Sequence, residues 1–250
     1  MDTVTNEQLS KRERREQEQQ ERIKREQRER QKELLRRIGL WSAAICGLGI
    51  LVWGLAKLGS SGAGTINNTT LAEPVTGEDW IRGNKNGTVT LVEYSDFQCP
   101  ACRAAEPVVA ELVQKYGDTI RVVYRHYPLN ALHAHAEEAA RAAEAAGRQG
   151  KFWEMHDMLF ENQARWAAEN NPETLFVTYA QQLALDTNKF LSDFDATEIR
   201  QKITAQQAGG DRAKITATPT FFLNGKGVNL QNFGDLVDMV GAAVEKTIQK

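Results

Sequence analysis

Residues 88–95 read TVTLVEYS, a short and nearly all apolar run rich in β-branched residues, and Cys99-Pro100-Ala101-Cys102 follows at once. A run of this kind is a strand buried on both faces. Beyond the two cysteines a helical stretch extends to about Lys115, with Val108, Val109, Leu112 and Val113 recurring at helical spacing. Ile120–Tyr127 reads as a second strand, and the right-handed crossover rule makes it parallel to the first. This strand–dithiol–helix–strand unit dictates an α/β fold built around a buried parallel pair.

A C-x-x-C pair has three common origins: half of a zinc site, a redox dithiol, or coincidence. Zinc asks for four ligands. The only other cysteine, Cys46, stands in an apolar run far upstream, and His126, His133, His135 and His156 have no standard ligand spacing. We therefore expect no metal, and surface or packing roles for the four histidines. The redox origin has a mechanism. Cys99 stands where a strand hands over to a helix, and Pro100 suits the first turn, where its missing N–H costs nothing. Unpaired N–H groups and the positive end of the helix dipole stabilise a thiolate there. Cys102 lies nearly one turn on, within disulfide reach. These positions make Cys99 the exposed attacking thiol and Cys102 the buried resolving thiol.

The rest of the chain reads as a block of helices and a C-terminal hairpin. Helices are expected over Ala134–Ala146, Lys151–Asn162, Pro172–Leu185 and Lys189–Gln207. Thr220–Leu223, the turn dipeptide Asn224-Gly225 and Gly227–Leu230 form the hairpin, and Gly234–Ile248 an amphipathic closing helix.

Upstream, charge is partitioned. The whole chain has 31 basic and 33 acidic residues, a net of −2 that argues against a nucleic-acid binder. Residues 1–37 nevertheless carry +3, residues 38–56 no charge, and residues 57–250 carry −5. The first segment, rich in Glu, Gln, Arg and Lys, predicts a charged, solvated helix. Ile38–Ala56, with Trp41 and Trp53 near its ends, would span about 28 Å as a helix, close to the hydrocarbon thickness of a bilayer. Residues 38–58 are thus expected to be one transmembrane helix, an uncleaved signal anchor. Arg36 and Arg37 place the N-terminus in the cytoplasm and the remainder outside. Residues 59–76, rich in Gly, Ser, Thr and Asn, read as a flexible linker to a domain over 77–250.

That domain resembles the DsbA-like branch of the thioredoxin superfamily. The resemblance rests on VEYSDFQCPAC (92–102), YRHYPL (124–129), QGKFW (149–153) and TPTFF (218–222). It implies a thioredoxin-like fold with a helical insertion over about 130–210. It also implies a cis peptide at Pro219, facing the dithiol, with Thr218 offering its backbone to an extended substrate chain. Glu93 stands where relatives carry a buried acid, and the resemblance makes it a candidate proton acceptor for Cys102; the alternative is a partly solvated strand residue paired with a lysine. Ala217 departs from the glycine frequent in relatives. Ala101 offers the Cys99 thiolate neither charge nor hydrogen bond, so a thiol lowered less than in the strongest oxidants is expected.

These readings combine into a membrane-anchored, single-pass thiol–disulfide oxidoreductase with its catalytic domain outside the cytoplasm. It would donate the Cys99–Cys102 disulfide to exported proteins bearing thiols, use no other cofactor, and be regenerated by a membrane quinone-linked oxidase that the resemblance implies. The alternatives are an isomerase or reductase kept reduced by a membrane electron donor, and a redox-inactive peptide-binding module.

Overall fold

A computed structural model describes residues 64–249. The charged segment 1–37 and the membrane span expected over 38–58 lie outside the described residues. Among those described, no helix is long and apolar enough to cross a membrane.

The domain is built on a six-stranded mixed sheet: β1 (Thr65–Thr70), β2 (Trp80–Gly83), β3 (Val89–Ser95), β4 (Ile120–His126), β5 (Thr220–Leu223) and β6 (Lys226–Asn229), in spatial order β1-β6-β5-β3-β4-β2. β3 and β4 run parallel, as expected from the crossover, with α1 (Pro100–Tyr116) between them. β5 pairs antiparallel with the other side of β3.

Side chains alternate across β3. Val89 and Leu91 join a core formed with Ala105, Val109 and Leu112 of α1 and Leu236, Val240 and Val244 of α8 (Phe233–Ile248). Val92 and Tyr94 point to the opposite face, with Val123, Phe222 and Ile215. By this alternation Glu93 falls on the α1 side of the sheet. The β5–β6 turn is the expected one: Asn224 and Gly225 have φ of 50° and 77°, the left-handed pair a type I′ turn demands.

Between β4 and β5 lies the helical insertion: α2 (Ala136–Gly147), α3 (Phe152–Glu161), α4 (Gln163–Trp166), α5 (Glu173–Gln182), α6 (Thr187–Phe194) and α7 (Thr197–Arg212). Alanines cover α2 on nearly every side, which lets it run buried between neighbours. The single helix expected over Lys189–Gln207 is two. Asp195 closes α6 and Ala196 is extended at ψ 136°, a break that no glycine or proline announces.

Two edge strands also depart from the sequence reading. Part of the expected linker over 59–76 is β1, antiparallel to β6 with Ile66 opposite Val228. Its composition resembles a tether, but Thr65, Ile66, Thr69 and Thr70 are β-branched, and β6 offers an open edge. β2 was too short to be read by alternation; it pairs antiparallel with the far side of β4.

Arg125 ties the segment between β1 and β2 to the sheet. Its guanidinium donates to both carboxylate oxygens of Asp79 at 2.9 Å, to the carbonyls of Glu73 and Pro74 at 3.0 and 2.7 Å, and to the Tyr94 hydroxyl at 3.1 Å. Both partners of the ion pair are buried. Arg125→Ala strands the Asp79 carboxylate and should cost about 3–5 kcal/mol in a denaturant titration, with faster amide exchange concentrated in residues 71–79. Unchanged exchange there would show that the segment is held by other means.

Candidate active site

The site is assembled where β3 ends. Asp96 begins a tight turn: Cys99 N–H donates to the Asp96 carbonyl at 3.0 Å, and Gln98 N–H to Asp96 Oδ1 at 2.7 Å. Cys99 is the N-cap of α1, extended at φ −73° and ψ 122°, with Pro100 in the first turn and no acidic residue there. The thiol thus meets free N–H groups and the positive helix end with no carboxylate in the same turn.

Cys99 and Cys102 are both unbonded thiols. Cys102 is fully covered, and Cys99 is only 6% exposed rather than openly exposed, while Pro100 and Ala101 stand in solvent. The Cys99 thiol lies 3.4 Å from the carbonyl oxygen of Thr218, across a gap of 119 residues, and donates to it. The Thr218–Pro219 peptide is cis. Ala217 is absent from the residues with positive φ, so alanine sits there without backbone strain.

The electrostatics separate the two thiols. The Cys102 side chain donating a hydrogen bond is the main influence that lowers Cys99, to about 5; burial opposes it, while contacts with Thr218 and with the backbone of Ala101 and Cys102 assist. Burial, the neighbouring Cys99 and the charge of Glu93 push Cys102 well above the ordinary thiol range. Glu93 is buried on the α1 side, 2% exposed, with no lysine partner, and its Oε1 has no hydrogen-bond partner among the described residues. Burial raises its carboxyl to about 7; Ser95 works against this, and Cys99 adds to it. The solvated alternative for Glu93 is thereby excluded.

Several residues around the site carried no sequence assignment. Asp96 Oδ2 accepts from Leu129 N–H at 2.9 Å and faces His133 Nδ1 at 2.8 Å, and Asp96 N–H donates to Cys102 Sγ at 3.5 Å. Gln163, from the insertion, donates to the carbonyls of Phe97 and Cys99 at 2.7 and 2.9 Å. Gln98 Oε1 accepts from His135 N–H at 2.7 Å. Asp96 has a local signal, an Asx-type turn two residues ahead of Gln98. Gln163 has none, because its partners lie more than sixty residues away.

His126 and His156 are buried, and His133 and His135 half-buried. One trio of possible metal donors exists among the described residues: Glu106, His156 and Asp157. Arg82 donates to both oxygens of Asp157, at 2.7 and 2.8 Å, and so already engages the carboxylate that trio would offer a metal.

A family model described as thioredoxin matches residues 75–241. The chain belongs to the thioredoxin family. Among curated relatives, this thioredoxin-family chain is 44% identical over 148 residues to the Na(+)/H(+) antiporter NhaA 1 of Salinispora arenicola, covering 59% of the chain and 22% of that protein. It thus spans about a fifth of the length of the curated relative. Among solved structures, a thioredoxin-like oxidoreductase from Silicibacter pomeroyi is similar at a TM-score of 0.58 and 30% identity, over 72% of this chain and 98% of that one. Wolbachia pipientis alpha-DsbA1 shares the fold at a TM-score of 0.61 and 20% identity, over 70% and 94%. The domain is therefore a thioredoxin-like α/β fold, and DsbA-like structures share that fold.

Two measurements test this electrostatic arrangement. In Cys102→Ala the thiolate loses its main donor, worth about 1.5–3 kcal/mol when the acceptor is charged, so the Cys99 titration followed by thiolate absorbance should rise by about one to two pH units. A midpoint that stays near 5 would put the stabilisation elsewhere. Glu93 ionises near pH 7 in the fold and at its ordinary 4.5 when unfolded. Between those values the folded state binds the extra proton, so stability falls as pH rises from 4.5 to 7 and the deficit persists above. Glu93→Gln should accordingly raise stability at pH 8, on the order of 3 kcal/mol, and leave it unchanged at pH 4. An equal effect at both pH values would contradict the buried ionisation.

Proposed function

We propose that this chain is a protein disulfide oxidase, with Cys99 and Cys102 as its catalytic pair. The observation that carries the reading is the Cys99 thiol at the start of α1, lowered to about 5 and facing the Thr218 carbonyl. A thiol near 5 lies between about 7 in thioredoxin and about 3.5 in the strongest oxidant of this kind. This fits a Cys-Pro-Ala-Cys sequence in which the Ala101 side chain adds neither charge nor hydrogen bond to what the backbone supplies.

In the oxidised state a substrate thiolate attacks Cys99 Sγ and Cys102 leaves as a thiolate. Glu93, close to half-protonated at neutral pH, is the group that returns a proton to Cys102. A second substrate thiol then releases Cys99, a good leaving group because its thiolate is stable. Thr218 and Pro219 form the opposite wall, where the backbone of an extended substrate would lie. The redox-active disulfide is the only cofactor in this scheme.

The proposed setting is outside the cytoplasm, on a single anchor over residues 38–58 with the N-terminus inside. That compartment lets protein disulfides persist. The substrates are exported proteins bearing thiols, and a quinone-linked membrane oxidase is the proposed regenerating partner. Ion exchange is not carried over from the antiporter relative, since the match covers about a fifth of it.

Thiol alkylation in cells reads the direction. Cys99 and Cys102 should be found mostly oxidised, and Cys102→Ser should accumulate mixed disulfides through Cys99. A mostly reduced pair would favour the isomerase or reductase, and a variant that traps nothing would leave a peptide-binding module.

A further inference from the structure

Alternation puts Val89, Leu91, Glu93 and Ser95 on the α1 side of β3. The buried stripe of α1 runs Cys102, Ala105, Val109, Leu112. Ala105 and Val109 pack with Val89 and Leu91, so Cys102, first in its stripe, falls over the last residues of the strand, Glu93 and Ser95. Ser95 is 1% exposed, and its Oγ has no hydrogen-bond partner among the described residues. An unpaired buried hydroxyl is a net cost to a fold, so packing alone gives no reason for a serine here. Two neighbours can use it. The hydroxyl lowers both the Cys102 thiol and the Glu93 carboxyl, which is the action of a donor on an anion.

The backbone supplies a second donor. The Ser95 carbonyl accepts from Tyr127 N–H at 2.8 Å. Across a planar trans peptide the Asp96 N–H must then point the opposite way. β5 pairs with β3 only as far as Tyr94, opposite Thr220, so no strand takes that N–H. It donates instead to Cys102 Sγ at 3.5 Å. The Asp96 carboxylate is completely covered and pins the residue from the other side. It accepts from Gln98 N–H and Leu129 N–H at 2.7 and 2.9 Å and faces His133 Nδ1 at 2.8 Å.

We propose that the Ser95 hydroxyl and the Asp96 N–H form a two-donor pocket that receives Cys102 Sγ when it leaves the disulfide as a thiolate. This rests on the disulfide-exchange reading above. When a substrate thiolate forms its bond to Cys99 Sγ, the Cys99–Cys102 bond breaks and Cys102 keeps the electron pair. Negative charge then develops on a sulfur that no solvent reaches, and donors already aimed at it stabilise that charge without reorganising. The same pocket serves the reverse step, in which the Cys102 thiolate attacks a mixed disulfide at Cys99. In the forward direction a second substrate thiolate closes the substrate disulfide and Cys99 departs as a thiolate. Two electrons pass to the dithiol, and the one proton taken up from solvent ends on Cys102.

The test is Ser95→Ala in the full chain, with Ser95→Thr beside it because threonine keeps the hydroxyl and suits a strand. Oxidised protein is reduced with dithiothreitol at pH 7 and the dithiol is counted by rapid quench and alkylation. Ser95→Ala should react about tenfold more slowly, which is about 1.4 kcal/mol at the barrier, and Ser95→Thr should recover most of the rate. The denaturation midpoint of reduced Ser95→Ala should not fall, because the fold loses only an unpaired hydroxyl. The slowing should persist when Ser95→Ala is combined with Glu93→Gln, which separates a donor to sulfur from one that acts through the carboxyl. A Ser95→Ala rate equal to that of the unaltered protein, a slow rate that threonine does not restore, a lower midpoint, or a slowing that vanishes beside Glu93→Gln overturns the pocket and leaves the exchange activity standing. If the unaltered protein reacts no faster than an unstructured peptide disulfide, both readings fail.

Discussion

A carboxyl group on the covered side of a central strand has few ways to exist. Ionised and unpaired, it would cost several kcal/mol, so it either finds a cation or keeps its proton to a higher pH. Among the described residues Glu93 has no cation partner. Val89 and Leu91 precede it on the same side of β3 and pack against α1, and Glu93 is buried with them. The strand alternation that builds the core therefore also places an acid of about neutral pKa close to the buried Cys102 thiol. The core and the chemistry have one cause, and neither could be moved by a residue without the other.

Around that acid the frame is held from distant parts of the chain. Asp96 fixes the turn before the dithiol and, through Leu129 and His133, the loop that follows β4. Gln163 reaches in from the insertion to the carbonyls of Phe97 and Cys99. Thr218 arrives from the start of the hairpin. An insertion that supplies donors to the Cys99 carbonyl is part of the site. Its large apolar core, with Phe152, Trp166, Phe176 and Phe190 buried, gives Gln163 a rigid base.

Local chemistry was legible in the sequence and long-range pairing was not. The strand–dithiol–helix unit, the Asn224-Gly225 turn and the closing helix each depend on a few consecutive residues, and each lies within a residue or two of its expected bounds. The place of Glu93 could be read because period-two alternation and a resemblance pointed the same way. β1 and β2 could not, because strands of six and four residues at sheet edges take their identity from the strand beside them. The break at Asp195 and Ala196 has no residue that forces it. His156 reads from the sequence as a surface or packing histidine, and nothing in the sequence pairs it with Glu106; only the fold brings the two to 3.6 Å.

Glu93 and Cys99 act on different quantities, although they sit together. The depressed Cys99 pKa exists only in the reduced protein, because a disulfide has no thiol to ionise. Its stabilisation of the reduced fold is complete above the ordinary thiol value of 9 and is lost as pH falls through about 5, so at neutral pH a large part of it favours reduction. The largest cause of the Glu93 shift is burial, and burial is the same whether the dithiol is open or closed. To first order it cancels from the redox equilibrium. What remains is the smaller mutual repulsion of the Glu93 carboxylate and the Cys99 thiolate, which tempers the oxidising tendency as pH rises through 7. In the proposed oxidase the thiol at the helix start would set the direction of electron flow, and the buried acid would set how readily the proton follows.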